Sequence, residues 1–389
     1  MEVTIAAAVA FTAANFLAWG HWPICRRVAA GAPSQPFGVL MVVTQTACAW
    51  AACCCSPHFF GALVADSTHP LAVLCVVGGG AALAIGDFAA AAAIEELGVA
   101  VGGPVCFSCM LIVGSIGNFL LEGSAHPGLL WLGIAGCMAA VLADSQSHSH
   151  DVAAVDRLAL AKADSAAEMA PQTAQQVVPP QTASPEVPRH KIDIAVPPLE
   201  GGASSAEEPT PAPRPPSHRV SLRASDSNFK KGMVVAVGGG AVGGLWTVLS
   251  TLASRVHALD PLVLLFYFHL GELLFITPVV LLFGRLFGGV TSARRLYAMV
   301  RALSRWQALW TCAAGLCIAV GYLCYFATKG AVPRAVAYAF GCSAGSTGMV
   351  YGLCCFGEYA GAARSKKALL LLALLLYPSA IATLALSMI

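Results

Sequence analysis

The stretch that decides the fold runs from Leu71 to Gly123. It reads LAVLCVVGGGAALAIGDFAAAAAIEELG over 71–98 and VAVGGPVCFSCMLIVGSIGNFLLEG over 99–123. Each segment is long and apolar enough to cross a bilayer as a helix, which takes about 17–25 such residues. One carboxylate, Asp87, interrupts the first segment near its middle. The stretch therefore predicts two membrane helices joined by a tight connection.

A related pair of segments returns near the end of the chain, AGLCIAVGYLCYFATKG at 314–330 and AVAYAFGCSAGSTGMVYGLCCFGEYAG at 335–361. A shift of 235 residues aligns four positions: Gly86 with Gly321, Ala100 with Ala335, Ser108 with Ser343 and Gly117 with Gly352. Allowing one more residue, Glu122 aligns with Glu358. Repeated helical units of this kind are found in secondary transporters, so membrane transport is the first functional hypothesis.

The composition is that of a protein built for lipid. Of 389 residues, 57% are hydrophobic and 11% are charged, whereas soluble domains average about 25% charged residues. The net charge of +2 gives no reason to expect nucleic acid as a partner. Nearly all of the 15 cysteines lie inside apolar runs, where free cysteine packs as a small hydrophobe.

No metal, cofactor or catalytic site is predicted, and we do not expect an enzyme. The pattern C-x-x-C occurs at Cys106 and Cys109, but it lies within a predicted membrane helix. It also lacks the second pair of ligands that a zinc site of this type needs.

Ten apolar segments are predicted to span the membrane. They lie at 3–20, 37–55, 71–97, 101–121, 127–143, 232–252, 261–283, 306–327, 334–356 and 368–386. The intervening segment 144–230 is rich in Pro, Ser, Ala and Glu and cannot bury enough apolar surface to fold alone. The predicted domains are a first five-helix repeat at 1–143, a disordered linker at 144–230 and a second five-helix repeat at 231–389.

The distribution of Lys and Arg predicts the orientation. Only Arg255, Lys329 and Arg334 of the 22 basic residues fall on one side of the predicted helices, and the basic side of a membrane protein faces the cytosol. The linker is therefore predicted to be cytosolic and both termini external. Because five is an odd number, the halves must be inverted repeats. The predicted fold class is an all-α membrane protein, multi-pass and in the plasma membrane rather than an internal one.

Several short patterns along the chain resemble the ureide permease family of the drug/metabolite transporter superfamily. The residues that carry the resemblance are GHWP at 20–23, Gly86-Asp87, VGSIGNFLLE at 113–122, the stretch 144–155, Tyr267-Phe268, FGEY at 356–359 and RSKK at 364–367. Their order and spacing cover most of the chain outside the linker. The resemblance implies proton-linked symport of allantoin, uracil and related nitrogen heterocycles.

Two departures from the family pattern stand out. The family carries Asn where this chain has Asp87, and its plant members carry a nucleotide-binding-like motif in the central loop. No G-x-x-x-x-G-K-[ST] occurs here, so transport driven by ATP is not predicted. The glycines at 238–240 and 243–244 are instead expected to let helices pack closely.

Two carboxylates near the middle of predicted helices are the leading site candidates, since charge inside a bilayer is costly. Asp87 and Glu272 are these residues, and His269 shares a helix face with Glu272. We expect them to bind substrate and protons in a central cavity. The alternative is that they only form hydrogen bonds between helices.

Other candidates are aromatic or polar. Trp246 and Tyr322 lie deep enough to stack on a flat ring, whereas Trp22, Trp131, Trp306 and Trp310 are expected in the interfacial belt. Asn118, Ser108 and Ser343 are candidates for hydrogen bonds to substrate, with close helix packing as the alternative. Glu122 and Glu358 are gate candidates because they recur in both halves, with interfacial anchoring as the alternative.

Two rival functions stay open. The same fold carries sugars and other small metabolites in related families, and fold does not fix substrate. A membrane scaffold or sensor that acts through its Pro-rich linker is the other. The expected partners are a small-molecule substrate, protons and membrane lipid, and the sequence leaves the oligomeric state open.

Overall fold

The structure, a computed structural model, describes residues 4–29, 31–123, 126–168, 226–328, 334–359 and 362–387. Every regular element within these ranges is a helix. The helices are α1 (Ile5–Val28), α2 (Ser34–Cys54), α3 (Phe59–Asp66), α4 (Pro70–Leu97), α5 (Gly102–Glu122), α6 (Pro127–Glu168), α7 (Asp226–Val256), α8 (Pro261–Phe287), α9 (Ala293–Arg301), α10 (Arg305–Ala327), α11 (Arg334–Ser343), α12 (Gly345–Cys354) and α13 (Arg364–Ser387).

In the described part of the chain, eight helices are long and apolar enough to cross a membrane: α2, α4, α5, α6, α7, α8, α10 and α13. The chain is therefore a multi-pass integral membrane protein. The other two predicted spans differ from these eight. Helix α1 is long but carries Asn15, His21 and two arginines. The ninth predicted span is interrupted at Ala344, within the glycine-rich run 341–348, and forms the short helices α11 and α12.

Three helical segments were not predicted. Helices α3 and α9 are short and lie between apolar helices. Helix α6 continues beyond its predicted end at residue 143 to Glu168, because residues 152–168 are rich in alanine and leucine, which favour helix. Most of the predicted linker, 169–225, lies outside the described residues.

Contacts divide the chain into two units, one comprising 1–155 with 222–389 and the other comprising 156–221. In the first unit, glycines allow close packing of α4 against α7 and α8. A Cβ atom on Gly86 would lie 2.9 Å from the Cα atom of Gly243, and one on Gly80 would collide with the carbonyl oxygen of Phe268. The expected close packing is confirmed for Gly239, Gly240, Gly243 and Gly244, but it is wrong for Gly238, where an added Cβ atom would meet nothing within 4 Å.

Ion pairs join the helices at one end of this unit, which we call the basic end. Arg26 donates to Glu95 over 3.1 Å, Lys231 lies 2.7 Å from Glu96, and Arg27 lies 3.4 Å from Glu358. The opposite end, which we call the histidine end, contains Asp66, His69 and His257. The Nε2 atom of His257 lies 3.3 Å from an Asp66 oxygen, and the ring of His69 stacks on His257 at 3.6 Å.

Candidate functional site

A small internal cavity lies where α1, α4, α5, α7, α10 and α11 meet. Its lining residues are Trp19, Trp22, Asp87, Phe107, Met110, Trp246, Ile318, Tyr322, Tyr338 and Cys342. Asp87 is the only acidic or basic side chain among them. The cavity volume is about 10 Å³, which is room for about one water molecule. A larger ligand can enter only if the helices move apart.

Asp87 reaches this cavity because α4 carries small residues around it. Helices α4 and α7 pack closely at Gly86 and Gly243, so the neighbouring Asp87 lies at a helix contact rather than in lipid. Asp87 is 4% exposed, and its Oδ2 atom has no hydrogen-bond partner among the described residues. Burial of a carboxyl oxygen without a hydrogen-bond partner is costly. Such an oxygen is typical of a site that binds a ligand or a water molecule.

A second buried polar cluster adjoins the cavity and consists of Glu272, His269 and Gln45. The Nδ1 atom of His269 lies 2.5 Å from the Glu272 carboxylate, and the Gln45 amide donates to the same oxygen over 2.7 Å. The Gln45 side chain also interacts with Asp87. All three members of the cluster are fully buried. Gln45 therefore links the two carboxyl groups across α2, α4 and α8.

Sequence reasoning missed Gln45, although a signal was present. It is the only amide side chain in the second apolar segment, 37–55. A polar residue inside a membrane helix marks a functional candidate by the rule that selected Asp87 and Glu272.

Aromatic rings form much of the cavity wall. Trp246 packs edge-on against Tyr322 and Tyr338 at ring distances of 5.8 and 5.4 Å, and Trp19 packs on Tyr322 at 4.8 Å. Tyr322 also contacts the ring of His269 at 5.6 Å. Trp246 and Tyr322 thus occupy the deep positions expected of them. The indole N–H groups of Trp19 and Trp246 and the Tyr338 hydroxyl have no partner among the described residues.

Trp22 corrects one expectation. It was expected in the interfacial belt, but it is 2% exposed and lines the cavity. The reason is that α1 continues to Val28, beyond its predicted end at residue 20, so that Trp22 lies inside the helix bundle. Trp131 and Trp306 are exposed, as a belt residue requires.

The polar candidates Asn118, Ser108 and Ser343 do not line the cavity. Ser108 donates to the Tyr377 hydroxyl over 2.6 Å, and Ser343 donates to the Phe340 carbonyl. Asn118 is buried in the last turns of α5, where its Oδ1 atom has no partner in the described part of the chain. For the two serines, the structure favours the packing alternative.

The two gate candidates differ sharply. Glu358 is 10% exposed, accepts hydrogen bonds from the backbone N–H groups of Val99 and Ala100 at 3.1 and 3.0 Å, and pairs with Arg27. It therefore joins the second half of the chain to the connection between α4 and α5. Glu122 is exposed and makes no contact of this kind with any described residue. Its position fits the anchoring alternative.

One buried carboxylate was assigned to the linker by the sequence. Asp144 is fully buried in α6, and neither of its oxygens has a hydrogen-bond partner in the ranges that the structure describes. Tyr377 of α13 and Glu358 are close enough to interact with it electrostatically. Its burial follows from the continuation of α6 past residue 143.

The described residues contain no group of three or more His, Cys, Asp or Glu side chains suited to a metal ion. The fold and the cavity define a multi-pass helical membrane protein with a buried acidic and aromatic site. Comparison with known protein families, curated proteins and solved structures finds no significant match to this chain. The resemblance to ureide permeases therefore depends on the residues quoted above.

Proposed function

We propose that this protein is a secondary transporter of ureides or nucleobases, such as allantoin or uracil, and that transport is coupled to protons. The observation that carries the proposal is the position of Asp87 in an aromatic cavity beside the Glu272–His269 pair. Flat heterocycles stack on aromatic rings, and their N–H groups can donate to a carboxylate. The sequence resemblance points to the same substrate class.

We further propose ten spanning segments: the eight long apolar helices, α1, and the α11–α12 pair. The chain direction supports inverted halves, since α1 ends at the basic end while α7 begins there, with Lys231 near its start. The packing partners support them too. Helix α4 contacts α7 and α8 as α10 contacts α1 and α2. In an inverted repeat α4 corresponds to α10, α7 to α1 and α8 to α2. Replacing each helix by its counterpart therefore converts the first set of contacts into the second.

Alternating access would use the contacts at the two ends. Opening the basic end requires the separation of Arg27 from Glu358 and of Lys231 from Glu96. Opening the histidine end requires Asp66 to release His257 and the backbone N–H of Asp260, which donates to it over 2.8 Å. In both cases a contact between the two halves of the chain breaks. The conformation described here, with its small closed cavity, would then lie between two open conformations.

Proton coupling is supported by the proximity of Asp87 and Glu272, which are close enough to interact electrostatically. Two ionised carboxylates that are buried together repel each other. We infer that one carboxyl group carries a proton when both ends are closed. When one end opens, water that reaches the site would accept that proton. A bound substrate would then donate an N–H hydrogen bond to the carboxylate in place of the lost proton.

The test is uptake by purified protein in liposomes with an imposed pH gradient. We expect saturable uptake of radiolabelled allantoin or uracil that falls when a proton ionophore collapses the gradient. Uptake of a sugar that neither compound inhibits would instead support the related sugar-carrying class. No flux of any member of a substrate panel, with correctly folded protein, would favour the scaffold or sensor and overturn transport.

A further inference from the structure

The segment between α8 and α10 has an unusual distribution of charge. Together with the last turn of α8 and the first turn of α10 it carries five arginines, all of them exposed: Arg285, Arg294, Arg295, Arg301 and Arg305. No Asp or Glu occurs anywhere between Glu272 and Glu358. In the described part of the chain none of these five arginines forms a salt bridge. The three glutamates of the basic end are already paired with Arg26, Arg27 and Lys231.

Helix α9 holds three of these arginines in a fixed position. Its apolar residues Leu296, Met299 and Val300 recur at the spacing of one helix face. Leu296 is fully buried in a cluster with Val39 and Val42 of α2 and Ile276 of α8, and Met299 and Val300 pack against the same cluster. The remaining face therefore presents Arg294, Arg295 and Arg301 away from the bundle.

The position of α9 along the chain sets its depth in the membrane. It follows the last turn of the apolar helix α8 and precedes the first turn of the apolar helix α10, each with its own arginine. Two exposed aromatic residues lie among and beside the arginines, Tyr297 at 46% and Trp306 at 56% exposure. Such residues lie at the headgroup level of a bilayer, so the arginines are at the height of the lipid phosphates.

We propose that α9 and its flanking arginines form a binding surface for anionic phospholipid headgroups of the membrane that the protein spans. Arginine guanidinium groups bind phosphate through paired charge-assisted hydrogen bonds. Short amphipathic helices with basic polar faces lie in the interface and prefer anionic lipid. Because the surface carries five positive charges and no negative ones, a neutral zwitterionic lipid gains little from it.

The experiment measures how many phosphatidylglycerol and phosphatidylcholine molecules the intact purified protein retains in detergent, by native mass spectrometry. The variant is R294Q/R295Q/R301Q. One control, R294K/R295K/R301K, keeps the charge, and a second, R255Q, removes an arginine at the histidine end. A basic residue near a charged membrane surface contributes about a factor of five in affinity. We therefore expect at least a fivefold loss of phosphatidylglycerol in the glutamine variant, with phosphatidylcholine unchanged.

R255Q should retain phosphatidylglycerol like the parent. The lysine variant, which keeps the charge but not the paired guanidinium hydrogen bonds, should retain more phosphatidylglycerol than the glutamine variant does. Release from the parent should increase with salt, since the screening length falls from about 10 Å at 0.1 M to about 3 Å at 1 M. This titration needs no variant, so it tests the proposal even if the glutamine variant misfolds. Equal retention by parent and glutamine variant, or retention by the parent that ignores salt, would overturn the proposal.

Inorganic phosphate serves as a separate competitor. Displacement of the lipid by millimolar phosphate would mean that a free anion, rather than a lipid, occupies the surface, and the proposal would fail. None of these measurements depends on transport, so a negative uptake experiment leaves this inference standing on its own result.

Discussion

Replacing Glu358 by alanine should open the basic end of the protein. The Glu358 carboxylate accepts hydrogen bonds from two backbone N–H groups, those of Val99 and Ala100, and pairs with Arg27. A net contribution of about 1.5–3 kcal/mol is typical for a hydrogen bond to a charged group. Breaking a buried ion pair costs about 3–5 kcal/mol. Arg27 is 23% exposed and stays partly hydrated. We therefore take about 3 kcal/mol as the free energy by which Glu358→Ala destabilises the closed state relative to the open one.

That free energy changes the balance between closed and open states roughly a hundredfold. An open state is commonly populated at about 0.1–10% in the parent, so its population rises to about 10–90% in Glu358→Ala. The assay is maleimide labelling of the membrane-embedded protein, quantified for each cysteine by peptide mass spectrometry. Cys342 lines the cavity and is 5% exposed. Its labelling rate should rise about tenfold or more.

The matched control is Glu122→Ala, because Glu122 aligns with Glu358 in the proposed repeat and is exposed. Its labelling pattern should equal that of the parent. The exposed Cys54 reports labelling efficiency in each sample. If Cys342 reacts equally fast in parent, Glu358→Ala and Glu122→Ala, the contacts of Glu358 do not hold the basic end closed and the reasoning is refuted.

Four further predictions follow from single features. Asp87→Asn should preserve uptake but weaken its pH dependence, while Asp87→Leu should abolish it; uptake by both like the parent at acidic and neutral pH would make Asp87 a packing residue. Gly80→Val should prevent the approach of α4 to α8 and lower the melting temperature in detergent, whereas Gly238→Ala, at a position without close neighbours, should leave it within a degree or two. Asp144→Asn should raise the melting temperature, because both carboxylate oxygens are buried without partners in the described structure; a fall would reveal a stabilising contact. A tag inserted at residue 180 should resist protease added to intact cells. Cleavage of the tag would mean that the predicted orientation is wrong.

The sequence alone was enough to find most of the membrane helices. Length and hydropathy identify an apolar helix because each spanning segment must satisfy its own backbone hydrogen bonds in lipid. The bounds of α4, predicted at 71–97 and found at Pro70–Leu97, show how well this local rule works. It works less well for α6 and α1, whose helices continue into polar sequence where hydropathy falls but helix propensity does not.

The sequence also pointed to three buried polar residues of the bundle, Asp87, His269 and Glu272. Burial of such residues in an apolar helix is costly wherever it occurs. The sequence could not show which polar side chains contact one another. Gln45 joins Asp87 to Glu272 from a helix far away in the chain.

Glu122 and Glu358 align in the sequence of the proposed repeat, yet among the described residues only Glu358 has backbone donors and an arginine as partners. A sequence alignment of this kind uses local residues only, whereas the partners of a side chain depend on how helices from distant parts of the chain pack. The tertiary structure therefore decided that Glu358 is a contact between the halves and that Glu122 is an exposed helix end.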